Sequence, residues 1–317
     1  MTKLHKVRVS KKYIEGQNIS IIELEPKDQQ ALPLFEAGAH IDLYLPNGLV
    51  RQYSLCQNPN ENIRYRLGIL NDDHSRGGSR CAFEDIGIGA DLEISSPKNL
   101  FPLNQAEHSV LIGGGIGITP LISMAYQLLN ENKSFELHYC GASADRSAFV
   151  DELQNGTLAA FTHFHFKDDG ANHRAYFQDH FPSLNKQSHI YTCGPNPFMD
   201  WVFDLSKKHQ FSPEQIHKEV FQSEVELTGN SFEVFAQQSN KLIQVDSNET
   251  LLEALVKNGI SIEKSCEQGV CGTCLCMVLE GEPDHRDVYL TDEEKADNDQ
   301  ILVCCSRAKS KRLVLDI

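Results

Sequence analysis

Three thiols stand in a C-x4-C-x2-C run in Ser265-Cys266-Glu267-Gln268-Gly269-Val270-Cys271-Gly272-Thr273-Cys274, and Cys304-Cys305 adds a pair about thirty residues further on. Thiolates at this spacing can donate charge to two irons of a 2Fe-2S cluster. The small residues Gly269, Gly272 and Thr273 let backbone N–H groups approach the sulfides and stabilise the reduced state. Structural zinc is the competing reading, but such sites usually pair two C-x2-C units, which this run does not do. Cys276 falls in the same C-terminal stretch and reads as packing, whereas the other four cysteines, Cys56, Cys81, Cys140 and Cys193, are scattered singly. In a chain of this length that opens without a signal-peptide pattern, reduced thiols and a metal centre are expected rather than a disulfide framework.

Two further groups of residues could do chemistry. Arg51-Gln52-Tyr53-Ser54 has the form R-x-Y-S; on a barrel strand it can lay Tyr53 against an isoalloxazine, turn Arg51 to a phosphate and bring Ser54 to flavin N5. Alone, the tetrad reads equally as an ordinary strand. Gly77-Gly78-Ser79 opens a short helix, where free N–H groups suit an anion, unless it is simply a capped turn. Gly113 to Pro120, GGGIGITP, has the form of a phosphate-approach loop of the dinucleotide type, without the Gly-Lys-Ser/Thr of a Walker loop, and alone reads equally as a tight βα turn. Tyr191 to Pro197 stands at a later strand end, where ligands of open parallel sheets collect, so Cys193 could border a nicotinamide or be plain packing.

The elements that must position these residues fall into three stretches. Residues 1–103 carry short alternating runs between turn signals, with strands expected at Ile19–Leu24, His40–Leu45, Arg64–Leu70 and Asp91–Ser95; this predicts an antiparallel β-barrel or sandwich. Residues 104–227 follow βαβ grammar: strands at Val110–Ile112, Phe135–Cys140 and His189–Cys193, with a helix over Leu121–Leu129, predict an α/β unit on a largely parallel sheet. Residues 228–317 hold strands at Ser231–Gln237 and Lys241–Val245, a helix near Thr250–Asn258, the cysteine loop and a last strand at Leu313–Ile317.

Composition narrows the function. The chain has 317 residues, with 29 basic against 44 acidic side chains and a net charge of −15, which repels nucleic acid and anionic lipid surfaces. No apolar run is long enough to span a membrane, so a soluble, cytoplasmic protein with a basic partner is expected. No H-E-x-x-H or G-x-S-x-G is present, so hydrolysis has no support. His163 and His165 share one face of a strand and could in principle bind metal, but a half-exposed strand face is the expected reading.

The order R-x-Y-S, G-G-S, GGGIGITP, C-G-P, C-x4-C-x2-C resembles the phthalate dioxygenase reductase family, which includes vanillate demethylase reductases, over essentially the whole chain. The resemblance implies a multidomain protein with an FMN-binding antiparallel β-barrel, an NAD(H)-binding α/β domain and a plant-type ferredoxin domain of the α+β, β-grasp class. It implies that Arg51, Tyr53, Ser54, Gly77, Gly78 and Ser79 bind FMN, and that Gly115, Thr119, Cys193 and Gly194 bind NADH, with Ser54 and Cys193 at the hydride-transfer site. Glu219-Val220-Phe221 is similar to the family's E-x-F, which implies that Phe221 lies near the flavin. Cys304-Cys305-Ser306-Arg307 is similar to the ferredoxin C-x-S-R, which implies Cys304 as fourth ligand beside Cys266, Cys271 and Cys274; Cys305 stays as the alternative. Many relatives carry an arginine two residues after the position of Cys140, where this chain has Gly141-Ala142, and Arg146 follows later. NADH is favoured on this reading, with NADPH open. The implied activity is electron transfer from NADH through FMN and the cluster to a terminal oxygenase of the Rieske non-haem iron type. The alternatives are another acceptor, such as free flavin or a ferredoxin, and a non-catalytic redox sensor.

Overall fold

The computed structural model describes residues 3–28, 31–223 and 225–317. It divides into two compact units, Met1–Val220 and Phe221–Ile317.

The first unit opens with β1 (Leu4–Glu15), β2 (Ile19–Pro26), β3 (His40–Tyr44), β4 (Val50–Ser54), β5 (Tyr65–Leu70), the short helix α1 (Gly78–Glu84) and β6 (Asp91–Ser95). The strands form one antiparallel sheet in the order β4-β3-β6-β1-β2-β5, and a bridge between Leu55 and Leu67 joins its two edges into a barrel. Alternation drives this closure: Ile22, Leu24, Ile41, Leu43, Leu67 and Ile94 point inward and are essentially inaccessible.

The unit continues with β7 (Ser109–Gly114), α2 (Ile118–Asn130), β8 (Phe135–Gly141), α3 (Val150–Asn155), β9 (Thr162–Phe166), α4 (His173–His180), β10 (His189–Cys193), α5 (Asn196–Lys208) and β11 (Ile216–Glu219). All pairings are parallel, in the order β11-β10-β7-β8-β9. The direction of winding reverses between β7 and β10, and the crevice beyond the carboxyl ends of those two strands is where open α/β sheets bind ligands. One sheet face packs on α2 through Leu111, Leu137 and Tyr139. The other packs on α4 and α5 through Val110, Ile112, Cys140, Phe177 and Val202.

The second unit contains β12 (Phe232–Ala236), β13 (Lys241–Val245), α6 (Leu251–Lys257), β14 (Leu275–Glu280), β15 (Pro283–Asp284), α7 (Asp292–Asp297), β16 (Gln300–Leu302), β17 (Arg307–Ala308) and β18 (Arg312–Leu315). The mixed sheet β13-β12-β18-β14-β16, with β12 parallel to β18 and α6 packed on it, is a β-grasp arrangement. Capping boxes, Thr250 with Glu253 and Thr291 with Glu294, start α6 and α7. Buried Arg307 ties the unit together: its guanidinium donates to the carbonyls of Leu227, Asn230, Asp246 and Glu249 at 2.8–3.1 Å. All ten cysteines are free thiols. No helix among the described residues is long and apolar enough to cross a membrane.

Candidate functional site

The motifs assemble in two places, one in each unit. In the first unit, Ser54 ends β4 and its hydroxyl donates to Glu219 Oε2 at 3.4 Å. Glu219 ends β11, where it is paired in register with Cys193 at the end of β10. A barrel serine, a carboxyl and a thiol therefore meet at the carboxyl edge of the parallel sheet. Burial pushes the Glu219 carboxyl up to about 8, the Ser54 hydrogen bond working in the opposite direction. Burial also raises the Cys193 thiol well above its ordinary value, and the neighbouring Glu219 adds to the effect. Both groups thus hold their protons at neutral pH. Glu219 is the residue of this site that no motif marks as a binding residue; in the sequence it is visible only as the first letter of E-x-F, two residues before Phe221. Phe221 itself opens the second unit and is 36% exposed.

R-x-Y-S and G-G-S converge from opposite sides of a turn. Arg51 lies over the start of α1 so closely that a Cβ on Gly78 would stand 2.7 Å from Arg51 Cγ. Gly77 takes φ 94, its carbonyl accepting from Asn47 Nδ2 at 3.1 Å and its N–H donating to Ser75 Oγ at 3.2 Å. Ser79 Oγ accepts the Asp72 N–H at 3.3 Å. Tyr53 is half-buried, and desolvation raises its phenol while Arg51 opposes the shift. A guanidinium beside the N–H groups of an opening helical turn fits a phosphate, and a half-buried phenol ring beside it fits a flavin.

At the strand crossover, Gly117 packs against the following strand end: a Cβ there would lie 2.3 Å from the Cys193 carbonyl oxygen. Gly194 in turn approaches Gly114, with 3.0 Å from its hypothetical Cβ to Gly114 Cα. Gly115 differs, having φ 57 and no atom within 4 Å of where a Cβ would be, so its backbone is open to a pyrophosphate. Thr119 is buried, and its hydroxyl donates to the Ile116 carbonyl at 2.9 Å, fixing the turn. Arg146 is exposed in the turn after β8.

In the second unit the cysteine loop runs from Cys266 to Cys274 without regular structure. The thiols form two pairs, Cys266 with Cys271 and Cys274 with Cys304, each within hydrogen-bonding reach. Sharing a proton raises one thiol and lowers the other in each pair. Among the described residues no three cysteines bring their sulfurs mutually within 4.8 Å, so the four thiols match two irons, two sulfurs to each, better than one tetrahedral zinc. Loop N–H groups point at the sulfurs: Gln268 N–H donates to Cys266 Sγ at 3.4 Å, and Gly269 N–H donates to Cys304. Gly269, at φ +70, leaves room where a Cβ would stand 2.5 Å from Cys305 Sγ. The Cys305 thiol is also within hydrogen-bonding reach of Cys304, and points to the Leu302 carbonyl and Ser306 Oγ, each at 3.7 Å.

A closed barrel, a parallel sheet with a glycine turn at its crossover and a β-grasp unit with paired thiols define a flavin- and iron–sulfur-dependent electron-transfer reductase. Comparison with known proteins agrees. Residues 111–204 match the oxidoreductase NAD-binding domain family, and residues 234–309 match the 2Fe-2S iron-sulfur cluster binding domain family. The chain is 43% identical over 314 residues to a vanillate O-demethylase oxidoreductase of Pseudomonas sp., covering 98% of this chain and 99% of the relative. It is 38% identical over 292 residues to a carnitine monooxygenase reductase subunit of Acinetobacter pittii, covering 92% and 95%. Its fold is similar to that of phthalate dioxygenase reductase, with a TM-score of 0.79, 35% identity, and coverage of 99% and 98%. The chain belongs to the phthalate dioxygenase reductase and vanillate demethylase reductase family. It is an NAD(P)H-dependent flavin iron–sulfur oxidoreductase, the reductase component of an oxygenase system, with a nicotinamide dinucleotide, FMN and a 2Fe-2S cluster as its cofactors.

Proposed function

We propose that this chain, working in the cytoplasm, serves a Rieske non-haem iron oxygenase, with a flavin domain at residues 1–103, a nucleotide domain at 104–227 and a ferredoxin domain at 228–317. The observation that carries the assignment of the site is the meeting of Ser54, Glu219 and Cys193 at the sheet's carboxyl edge. A flavin held by these residues would supply the chemistry that accepts a hydride and gives up single electrons.

The chain's own residues do the rest. Arg51 with Gly77, Gly78 and Ser79 binds the flavin phosphate, and Tyr53 covers the ring. Gly115, Thr119 and Gly194 shape the turn that admits the dinucleotide pyrophosphate, and Cys193 limits the nicotinamide pocket. Ser54 positions the flavin ring, and protonated Glu219 keeps the junction neutral and holds a proton on Oε1 or Oε2. Cys266, Cys271, Cys274 and Cys304 hold the cluster. The surface of residues 231–317, with 16 acidic and 9 basic side chains and a net charge of −7, steers the unit to a basic patch on the oxygenase.

An anaerobic absorption titration with NADH, followed by single-turnover transfer to a purified Rieske oxygenase at rising salt, tests this reading. Stepwise bleaching of flavin and cluster bands and a transfer rate that falls with salt are expected. A coloured protein indifferent to NADH and NADPH, or a transfer rate flat in salt, would sink it.

A further inference from the structure

The sheet face that packs on α4 and α5 carries a cluster of ligating side chains that the redox chemistry does not use. Glu136 and His138 are alternate residues of β8 and leave the sheet on that face; His180, the last residue of α4, descends onto them. Glu136 Oε1 lies 2.7 Å from His180 Nε2, and Glu136 Oε2 lies 3.4 Å from His138 Nε2. The ligand atoms of all three lie within 4.8 Å of one another.

His138 is 0% exposed, and its Nε2, aimed at Glu136, has no partner of hydrogen-bonding geometry among the described residues. A buried polar nitrogen left this way is costly. Its other nitrogen, Nδ1, is 3.0 Å from His165 Nε2. If Nδ1–H donates to His165, the Nε2 lone pair is left facing the carboxylate, which is the state and orientation of a metal-ligating imidazole with its outer partner in place. The side chains of Glu136 and His180 are 14% and 22% exposed, so an ion can enter from solvent.

We propose that Glu136, His138 and His180 form a binding site for one divalent transition-metal ion of the zinc type, separate from the redox centres. Two imidazoles and a carboxylate with an open fourth position are a recurrent zinc ligand set. The site lies about 13 Å along β8 from the carboxyl edge of the sheet, at four residues of roughly 3.3 Å. A bound ion would tie the C-terminus of α4 to β8.

The test uses the holoenzyme, with flavin and cluster intact, stripped with EDTA and dialysed against micromolar zinc. Elemental analysis should find one zinc per chain in the wild type and in His74→Gln, an exposed histidine of the loop before α1, with iron unchanged. His180→Gln and Glu136→Gln should each weaken zinc binding at least tenfold and abolish a zinc-dependent rise in melting temperature. Zinc-edge X-ray absorption should show nitrogen and oxygen ligands near about 2.0 Å and no sulfur near about 2.3 Å. Equal zinc content in wild type and both variants, a sulfur shell, or no zinc retained would overturn the proposal and leave a plain hydrogen-bonded clamp between helix and strand.

Discussion

Ser54 and Glu219, 165 residues apart, share a 3.4 Å hydrogen bond that joins the last residue of a barrel strand to the last residue of the parallel sheet. Reduction of a flavin adds negative charge, and a carboxyl held neutral favours it where a carboxylate would oppose it. With Glu219 titrating at about 8, flavin reduction by NADH should slow as pH rises through that value. Glu219→Gln should flatten this limb and lower the rate by roughly tenfold to a thousandfold if the carboxyl also supplies a proton. Stopped-flow reduction between pH 6 and about 9 decides it: a Gln variant that keeps the alkaline limb removes Glu219 from the role. Stability should run in parallel. A folded-state value raised from 4.5 to about 8 gives stability that is full below pH 4.5 and is lost as pH rises to 8. The gap between wild type and Glu219→Gln in denaturant should therefore widen over that window and no further.

Gly117→Ala should damage the nucleotide site from within. The new methyl would stand 2.3 Å from the Cys193 carbonyl oxygen and 2.5 Å from the Gly194 nitrogen, both backbone atoms that cannot swing away. A destabilisation of about 1–3 kcal/mol is expected, with a rise in KM for NADH larger than any change in iron content. Gly48→Ala, where nothing lies within 4 Å of the added methyl but φ is +81, separates backbone strain from this collision. Unfolding curves and NADH titrations that agree for the two variants would refute the packing argument.

Most of what positions this site can be read along the chain, because its signals are local. Alternation predicts strands at Ile19–Leu24 and Asp91–Ser95, where β2 runs two residues further to Pro26 and β6 matches, and the glycine turn marks the junction of β7 and α2. What stayed hidden depends on contacts distant in sequence. Nothing near Glu219 announces that Ser54 will reach it, and no motif spans Glu136, His138 and His180. His163 and His165 read as one strand face, but only the fold shows that both rings stack on His138, His163 exposed and His165 buried. The acidic stretch after Thr291 holds a local signal as well: the Thr291 to Glu294 spacing is the capping box that starts α7.

At the cluster, Cys304→Ser and Cys305→Ala should separate sharply. Cys304 faces Cys274 and receives the Gly269 N–H, whereas Cys305 reaches Cys304 and the Leu302 carbonyl but not Cys274 among its hydrogen-bond partners. Iron and acid-labile sulfide should fall severalfold in Cys304→Ser and stay at the wild-type level in Cys305→Ala. The reverse pattern would make Cys305 the ligand. Gly269→Ala, strained at φ +70 and colliding with Cys305 Sγ, should also lose iron, and Cys305→Ala should relieve the collision though not the strain, restoring part of it.

Arg307→Met should loosen the second unit more than its distance from any cofactor ligand but Cys304 would suggest. Its guanidinium satisfies four carbonyls, two from 227–230 and two from the turn that leads into α6, and it is 2% exposed. Methionine fills similar volume but donates nothing, leaving several buried acceptors unpaired at about 1–3 kcal/mol each; partial hydration will recover some of this. The expected outcome is a loss of at least about 3 kcal/mol, seen as cluster bleaching at lower denaturant than in the wild type while flavin release keeps its midpoint. Proteolysis should shift in the same sense, with cleavage within 225–231 appearing in the variant under conditions where the wild type is uncut. If the cluster and flavin transitions move together, Arg307 does not stabilise the second unit selectively.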